Sequence, residues 1–168
     1  ANLAMAISAR GDTVLVPNPS YPMHAFGFII AGANVRSVQI GPGIDFFAGL
    51  DRAYQHSIPK PIALIVSFPA NPTAMTVDLD FYEAVVDFAK KRNMWVISDL
   101  AYSEIYFDGN PPPSILQVKG AKDIAIEFTS LSKTYNMPGW RIGFGAGNPT
   151  LIAALARMKS YLDYGAFT

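Results

Sequence analysis

Short apolar runs alternate along the chain with segments in which apolar residues recur at helical spacing. The apolar runs predict strands at residues 13–17, 35–40, 63–68, 95–99 and 124–129, and a short strand at 142–147. Because these runs are almost continuously apolar, they are typical of a sheet covered on both faces. Helical spacing predicts helices at residues 1–10, 22–33, 46–55 and 78–92 and from residue 149 onwards.

This alternation predicts an α/β fold, a three-layer sandwich with a mostly parallel sheet. In such sheets, ligands bind beyond the carboxyl ends of the strands. Polar residues follow four of the predicted strands at those ends, in residues 17–21, 69–72, 99–102 and 130–133. We therefore expect these residues to form a single cluster at one edge of the sheet.

The composition narrows the class of protein. The 13 Lys and Arg residues balance the 13 Asp and Glu residues, so no basic surface for nucleic acid is predicted. The longest apolar stretch, residues 25–33, is far shorter than the roughly 20 residues that span a bilayer. The absence of cysteine excludes disulfides and thiolate metal sites, and no metal site is predicted. A cytoplasmic enzyme is the expectation.

Residues 130–143 are the most informative segment. Lys133 lies just past an apolar run, three residues after Ser130 and eight residues before Arg141. Burial would disfavour the cationic lysine and so favour the neutral amine, a nucleophile towards aldehydes. Serine and arginine side chains are groups that hold a phosphate. Pyridoxal 5'-phosphate, which carries an aldehyde and a phosphate, requires this combination.

Two other interpretations start from the same residues. A lysine after a strand is commonly a solvated charge at the strand end. The spacing Ser130-x-x-Lys133 also occurs in serine β-lactamases and penicillin-binding proteins. That motif needs Ser-Asp-Asn and Lys-Thr-Gly elements, but here Ser98-Asp99 is not followed by Asn and no Lys-Thr-Gly occurs. The β-lactamase interpretation is therefore disfavoured.

The segment resembles the lysine-attachment signature of the class I/II (fold type I) pyridoxal-phosphate-dependent aminotransferases. Every restricted position of that signature is filled, by Ser130, Leu131, Ser132, Lys133, Asn136, Met137, Gly139, Arg141, Ile142 and Gly143. The resemblance covers essentially all 168 residues. Within the family it is strongest to bacterial alanine (glutamate–pyruvate) aminotransferases, through residues 68–74, 132–140 and 159–168.

The resemblance implies roles for four residues. Lys133 would attach the cofactor and act as the catalytic residue. Asp99 would pair with the protonated pyridine nitrogen, and a carboxylate that closes an apolar run does need a positive partner. Asn71 and Tyr102 match the residues that donate to the phenolic oxygen of the cofactor. The alternative for Asp99 is a helix-capping or loop aspartate. For Asn71 it is a turn residue before proline, and for Tyr102 it is a tyrosine of the core.

Two further residues match the pyridine side of the cofactor site. Tyr21 matches the aromatic residue that stacks on the ring, although plain packing before a proline is an alternative. His24, three residues later, matches a position that orients the aspartate from behind, and a surface histidine is the alternative. His56 is expected to face solvent.

Ser130 and Arg141 match phosphate ligands of the family. In the family, the other phosphate ligands come from a loop that would precede residue 1 here, and the arginine that binds the substrate carboxylate comes from a small C-terminal domain that would follow residue 168. Residues 1–168 would thus be an incomplete pyridoxal-phosphate-binding large domain of a homodimer.

The implied activity is transfer of an amino group between an amino acid and a 2-oxo acid, with alanine or glutamate–pyruvate as the first expectation. Aspartate or LL-diaminopimelate aminotransferase is the alternative within the class. A sensor domain of a transcription regulator, or an enzyme of β-elimination or decarboxylation, is the alternative outside it.

Overall fold

The computed structural model describes residues 1–163 of the chain, and within them it shows a six-stranded sheet with helices on both faces. The strands are β1 (Thr13–Asn18), β2 (Asn34–Gln39), β3 (Pro61–Ser67), β4 (Trp95–Asp99), β5 (Ala125–Ser130) and β6 (Gly143–Gly147). The helices are α1 (Asn2–Ile7), α2 (Pro22–Ile30), α3 (Phe46–Gln55), α4 (Leu79–Lys90), α5 (Leu131–Thr134) and α6 (Pro149–Leu162). The predicted α/β sandwich is confirmed.

The strand order is β2-β1-β3-β4-β5-β6, and only β6 is antiparallel to its neighbour. Strands β1 to β5 therefore end at a common edge. The antiparallel β6 starts at that edge, where Gly143 lies opposite Ser130. The polar residues that follow the strands are thus brought to one side of the molecule, where open α/β sheets bind ligands.

Alternation along the strands divides the core into two layers. One layer packs the sheet against α1, α2 and α6, and its fully or nearly fully buried side chains include Val16, Ile65, Ile97 and Ile126. The other packs the sheet against α3, α4 and a 3₁₀ helix (Ile115–Gln117). Because the central strands are buried on both faces, nearly every residue in them is apolar.

Local capping fixes where the two longest helices begin. Asp78 accepts a hydrogen bond at Oδ1 from the Phe81 amide (2.9 Å) at the start of α4. At the start of α6, Oδ1 of Asn148 accepts hydrogen bonds from the amides of Thr150 (2.9 Å) and Leu151 (3.1 Å). Each side-chain acceptor satisfies amide groups that have no partner within the helix.

One helix ends earlier than predicted, and one helix was not predicted. Helix α1 ends at Ile7 rather than at residue 10, because Ser8 is extended and its hydroxyl donates to the Ala4 carbonyl (2.6 Å). Gly11, which the sequence predicts as the residue that closes this helix, lies instead in the turn that follows it (φ +91°). The short helix α5 has no apolar periodicity and was not predicted. The sequence also predicts that the last helix is closed by Gly165, and that residue lies outside the described residues.

Candidate active site

Four of the predicted site residues surround one cavity at the carboxyl edge of the sheet. The cavity has a volume of about 590 Å³ and opens between α1, α2 and α6. Ile97 and Phe128 contribute to its lining from the sheet. The predicted residues that line it are Tyr21, His24, Asp99 and Ser130. In β4, Asp99 continues the alternation of Trp95 and Ile97, which places it on this face of the sheet.

His24 and Asp99 form a hydrogen-bonded pair in this cavity. Nε2 of His24 lies 2.8 Å from Oδ2 of Asp99. Because an ionised carboxylate only accepts hydrogen bonds, the histidine donates from Nε2. The His24 side chain is 9% exposed and the Asp99 side chain 30% exposed. The histidine thus holds a carboxylate that still reaches the cavity from the end of its strand.

The second carboxylate oxygen of Asp99 is held by the backbone. Oδ1 accepts a hydrogen bond from the Ala101 amide at 3.2 Å. Two fixed donors orient the carboxylate, and an ionised carboxylate has further lone pairs for another donor. Its chemistry suits a protonated ring nitrogen, because such a nitrogen is both a cation and a hydrogen-bond donor.

Tyr21 lies at the rim of the cavity, directly before α2. Its ring centroid is 5.7 Å from that of His24, and the rings meet edge to face at 79°. Its side chain is 43% exposed. The ring is therefore packed against the histidine on one side while a large part of its surface remains accessible.

Asn71 and Tyr102 line a second cavity, of about 850 Å³. Its walls include residues 69–72 after β3 and residues 110–113. The ammonium nitrogen of Lys133 lies 5.9 Å from the centroid of the Tyr102 ring, within the range of a cation–π contact. The structure therefore places Lys133 near Tyr102, which follows Asp99 by three residues.

Lys133 is exposed, contrary to the expectation that it is buried. The chain leaves the sheet at Ser130, whose hydroxyl accepts a hydrogen bond from the Ser132 amide (3.1 Å) and so begins α5. That short helix carries the lysine beyond the apolar core. The amine therefore lies at the surface of this chain and not within its core.

Arg141 lies in the turn before β6, in the left-handed region (φ +55°) that non-glycine residues adopt infrequently. Its Nη1 donates to the Pro138 carbonyl at 2.9 Å, and the side chain is exposed. Among the described residues that line the first cavity, Ser130 is present and Arg141 is not. Of the two predicted phosphate ligands, therefore, only Ser130 lines the first cavity, although both lie near the carboxyl edge of the sheet.

A buried carboxylate behind the site was not singled out by sequence analysis. Glu127 lies in β5 on the opposite face of the sheet, 7% exposed, and accepts hydrogen bonds from Ser98, Ser114 and Ile115. The signal in the sequence was a single acidic residue inside an otherwise apolar run.

Neither a membrane span nor a metal cluster is found in the described part of the chain. No helix within residues 1–163 has the length and apolar character needed to cross a bilayer. In the same residues, no group of three or more His, Cys, Asp or Glu side chains is arranged to hold a metal ion.

Comparison with known proteins decides the family. Residues 1–162 match the family described as aminotransferase class I and II. The chain belongs to the class I and II aminotransferases. The predicted family is thus confirmed, and with it the fold type I architecture that the two-sided sheet shows.

Three curated relatives align with this aminotransferase chain over nearly its whole length. AatC of Rhizobium meliloti (strain 1021) is 63% identical over 100% of the chain. The glutamate-pyruvate aminotransferase AlaC of Escherichia coli (strain K12) is 58% identical over 100% of it. An LL-diaminopimelate aminotransferase of Aquifex aeolicus (strain VF5) is 46% identical over 99% of it. The chain spans 42%, 41% and 43% of the lengths of these relatives.

A solved structure shows the same fold. The probable N-succinyldiaminopimelate aminotransferase from Thermus thermophilus superposes with a TM-score of 0.90 at 28% sequence identity. The superposition covers 99% of this chain and 44% of the other. The arrangement of strands around the candidate site is therefore one that aminotransferases share.

Proposed function

We propose that residues 1–168 are part of the large domain of a pyridoxal-phosphate-dependent aminotransferase. The observation that carries the proposal is the Asp99 carboxylate, held by His24 at 2.8 Å and by the Ala101 amide, at the edge of a cavity large enough for a small heterocycle. The chain spans about 42% of the length of its relative AatC, which supports the proposal that these residues are only part of the domain.

The residues present fit the proposed cofactor. Pyridoxal 5'-phosphate, when bound, withdraws electrons from the α-carbon of an amino acid and so makes its proton acidic. Asp99 would hold the protonated pyridine nitrogen, and His24 would orient Asp99. Asn71 and Tyr102 would donate to the phenolic oxygen, and Tyr21 would cover the ring face.

The remaining roles belong to the segment around Lys133. Its primary amine would attach the cofactor and, once released, would move a proton to and from the substrate α-carbon. The hydroxyl of Ser130 and the guanidinium of Arg141 would bind the phosphate. Because Arg141 bonds Pro138 in this structure, its side chain would have to turn from that carbonyl to reach a phosphate.

For substrates, we propose glutamate and pyruvate, with alanine as the product amino acid. Support comes from the 58% identity to a glutamate-pyruvate aminotransferase. LL-diaminopimelate is the second candidate, supported by the 46% identity to an LL-diaminopimelate aminotransferase. Aspartate is a third candidate, supported by the fold shared with an aspartate aminotransferase from Thermus thermophilus (TM-score 0.85, 29% identity).

We further propose that the full-length protein is a cytoplasmic homodimer. The low proportion of charged residues, 15% against about 25% in typical domains, favours a partly covered surface. Large apolar side chains are exposed in several places on the described residues, among them Phe26 (54%), Ile30 (69%) and Phe107 (82%). A second subunit would remove such groups from water.

The deciding experiment replaces Lys133 in the full-length protein with arginine. Lys133→Arg keeps a cation but removes the primary amine, so the visible absorption of the lysine-linked cofactor should vanish and transfer from glutamate to pyruvate should stop. Lys119→Arg, at an exposed lysine, is the matched control and should retain both. A variant at position 133 with wild-type absorption would refute the attachment. If the wild-type protein binds the cofactor but turns over no amino acid, the alternative of a sensor domain in a transcription regulator would be favoured.

A further inference from the structure

The buried carboxylate of Glu127 lies on the face of the sheet opposite the candidate site. Its Oε2 accepts hydrogen bonds from the Ser98 hydroxyl (2.8 Å) and the Ile115 amide (3.2 Å), and Oε1 accepts one from the Ser114 hydroxyl (2.5 Å). No ion pair of Glu127 occurs among residues 1–163. The charge is therefore balanced by hydrogen bonds alone, which are strong when the acceptor is ionised.

These hydrogen bonds fix one end of a long irregular connection. Residues 100–114 join β4 to the 3₁₀ helix and contain no helix or strand. Their first residue is held at β5 by the Leu100 amide, which donates to the Phe128 carbonyl (2.8 Å). Their last residue, Ser114, is held by Glu127. The two ends of the 100–114 segment are thus hydrogen-bonded to Phe128 and Glu127, two successive residues of β5, the strand that leads to Lys133.

The 100–114 segment carries part of the candidate site. Tyr102 lies near its start, and residues 110–113 form a wall of the cavity that Tyr102 and Asn71 share. Residues 104–111 are exposed, and only a few backbone hydrogen bonds lie within the segment, such as Ile105 to Tyr102 (3.1 Å). The two ties to β5 therefore hold its ends, together with the hydrogen bonds of the Ala101 amide to Asp99 and of the Ser114 amide to Gln117.

We propose that Glu127 is a positioning residue of the active site: by holding Ser114 and Ile115, it fixes the cavity wall beside Tyr102 and so the approach of the Tyr102 hydroxyl to the phenolic oxygen of the cofactor. This inference rests on the proposed function, which supplies the role of Tyr102. Glu127 itself does not line the first cavity, and its three hydrogen bonds go to none of the predicted ligand residues.

The test uses Glu127→Gln and Ser114→Ala in the full-length protein. Glu127→Gln keeps the shape but removes the charge and one acceptor. Ser114→Ala removes the hydrogen bond to Glu127 and the one that the Ser114 hydroxyl accepts from the Leu116 amide (3.1 Å), and it covers the case in which the first variant does not fold. Glu104→Gln, at an exposed glutamate of the same segment, is the matched control.

Two readouts are required. In the cofactor-free protein, the hydrogen-bonded amides of the segment, those of Ser103, Ile105 and Asn110, should exchange hydrogen about tenfold faster in Glu127→Gln than in wild type. In the loaded protein, the pH midpoint of the visible absorption should move in the same direction as in Tyr102→Phe. The control should change neither, and Ser114→Ala should change both to a smaller extent.

Each outcome decides the question. Wild-type exchange in Glu127→Gln, or faster exchange with an unmoved pH midpoint, would show that Glu127 only stabilises the fold and would overturn the inference. A wild-type protein without visible absorption would overturn the proposed function and the role of Glu127 with it.

Discussion

At the scale of single residues, His24 and Asp99 show how a charged group is kept at the end of an apolar strand. The neighbouring residues of β4 are buried, and a carboxylate beside them would lose hydration. The donors from His24 and Ala101 replace that water and leave the carboxylate able to meet a third donor. The histidine is thus a structural requirement of the aspartate as much as a part of the proposed site.

Replacing this histidine tests the pair. His24→Phe keeps the ring volume but removes the donor to Asp99, so the dissociation constant of pyridoxal 5'-phosphate should rise about tenfold to a hundredfold. Cofactor titration of the full-length protein, followed by visible absorption, measures the effect. His56→Phe changes the other histidine, which is exposed, and should leave the constant unchanged. Equal affinities for the two variants would show that Asp99 needs no orientation by His24.

The residue scale also shows where sequence reasoning fell short. The motif identified Lys133 without any structure, but its expected burial was wrong because α5 carries it past the sheet edge. Glu127 was overlooked since a lone acidic residue in an apolar run does not reveal its three donors, two of which come from residues 114 and 115.

At the scale of elements, periodicity found all six strands within the described residues and placed most of their ends within about two residues of those observed, because buried strands and half-buried helices differ in period. Helix α6 depends most on its first residues. Leu151 is its one buried residue, and Asn148 also donates from Nδ2 to the Asp123 carbonyl (2.7 Å). The cap therefore joins the helix to the sheet as well as starting it.

Removal of the Asn148 cap should lower the stability of the full-length protein measurably. Asn148→Ala leaves two amides and one carbonyl without their partner, so we expect the free energy of unfolding to fall by about 1–3 kcal/mol. Urea unfolding followed by circular dichroism measures the change. Asn110→Ala, at an exposed asparagine, should stay within about 0.5 kcal/mol of wild type. Equal losses for the two variants would mean that the cap does not stabilise α6.

At the scale of the whole molecule, the sheet separates two chemical environments. The face towards α1, α2 and α6 opens into the cavity at Asp99. The other face encloses Tyr82, Ser98 and Glu127. Burial, and then the negative charge of Glu127, raise the pKa of the Tyr82 hydroxyl above its ordinary value. This core therefore favours a protonated tyrosine.

The raised pKa predicts how stability depends on alkaline pH. Below the ordinary tyrosine pKa of about 10, Tyr82 is protonated in both states and its contribution is fully present. Above it, the unfolded state releases the proton while the folded state keeps it, so the free energy of unfolding decreases as pH rises.

Tyr82→Phe should reduce the loss of stability at alkaline pH. The urea midpoint of wild type should fall more between about pH 8 and about pH 10.5 than that of the variant. Tyr161→Phe, at a tyrosine that is 76% exposed, should follow wild type. Parallel decreases in all three proteins would show that Tyr82 titrates in the folded state as it does in the unfolded state.

The sequence by itself determined the six strands, the longer helices, the two-sided sheet and the family, because these follow from local periodicity and from a motif of fixed spacing. Tertiary structure decided which side chains meet. The contact between His24 and Asp99 spans two elements of the fold, and the exposure of Lys133 depends on where a short helix leaves the sheet. The resemblance predicted the first of these contacts, but its geometry and the exposure of Lys133 depend on the packing of distant segments, which the spacing of residues along the chain does not encode.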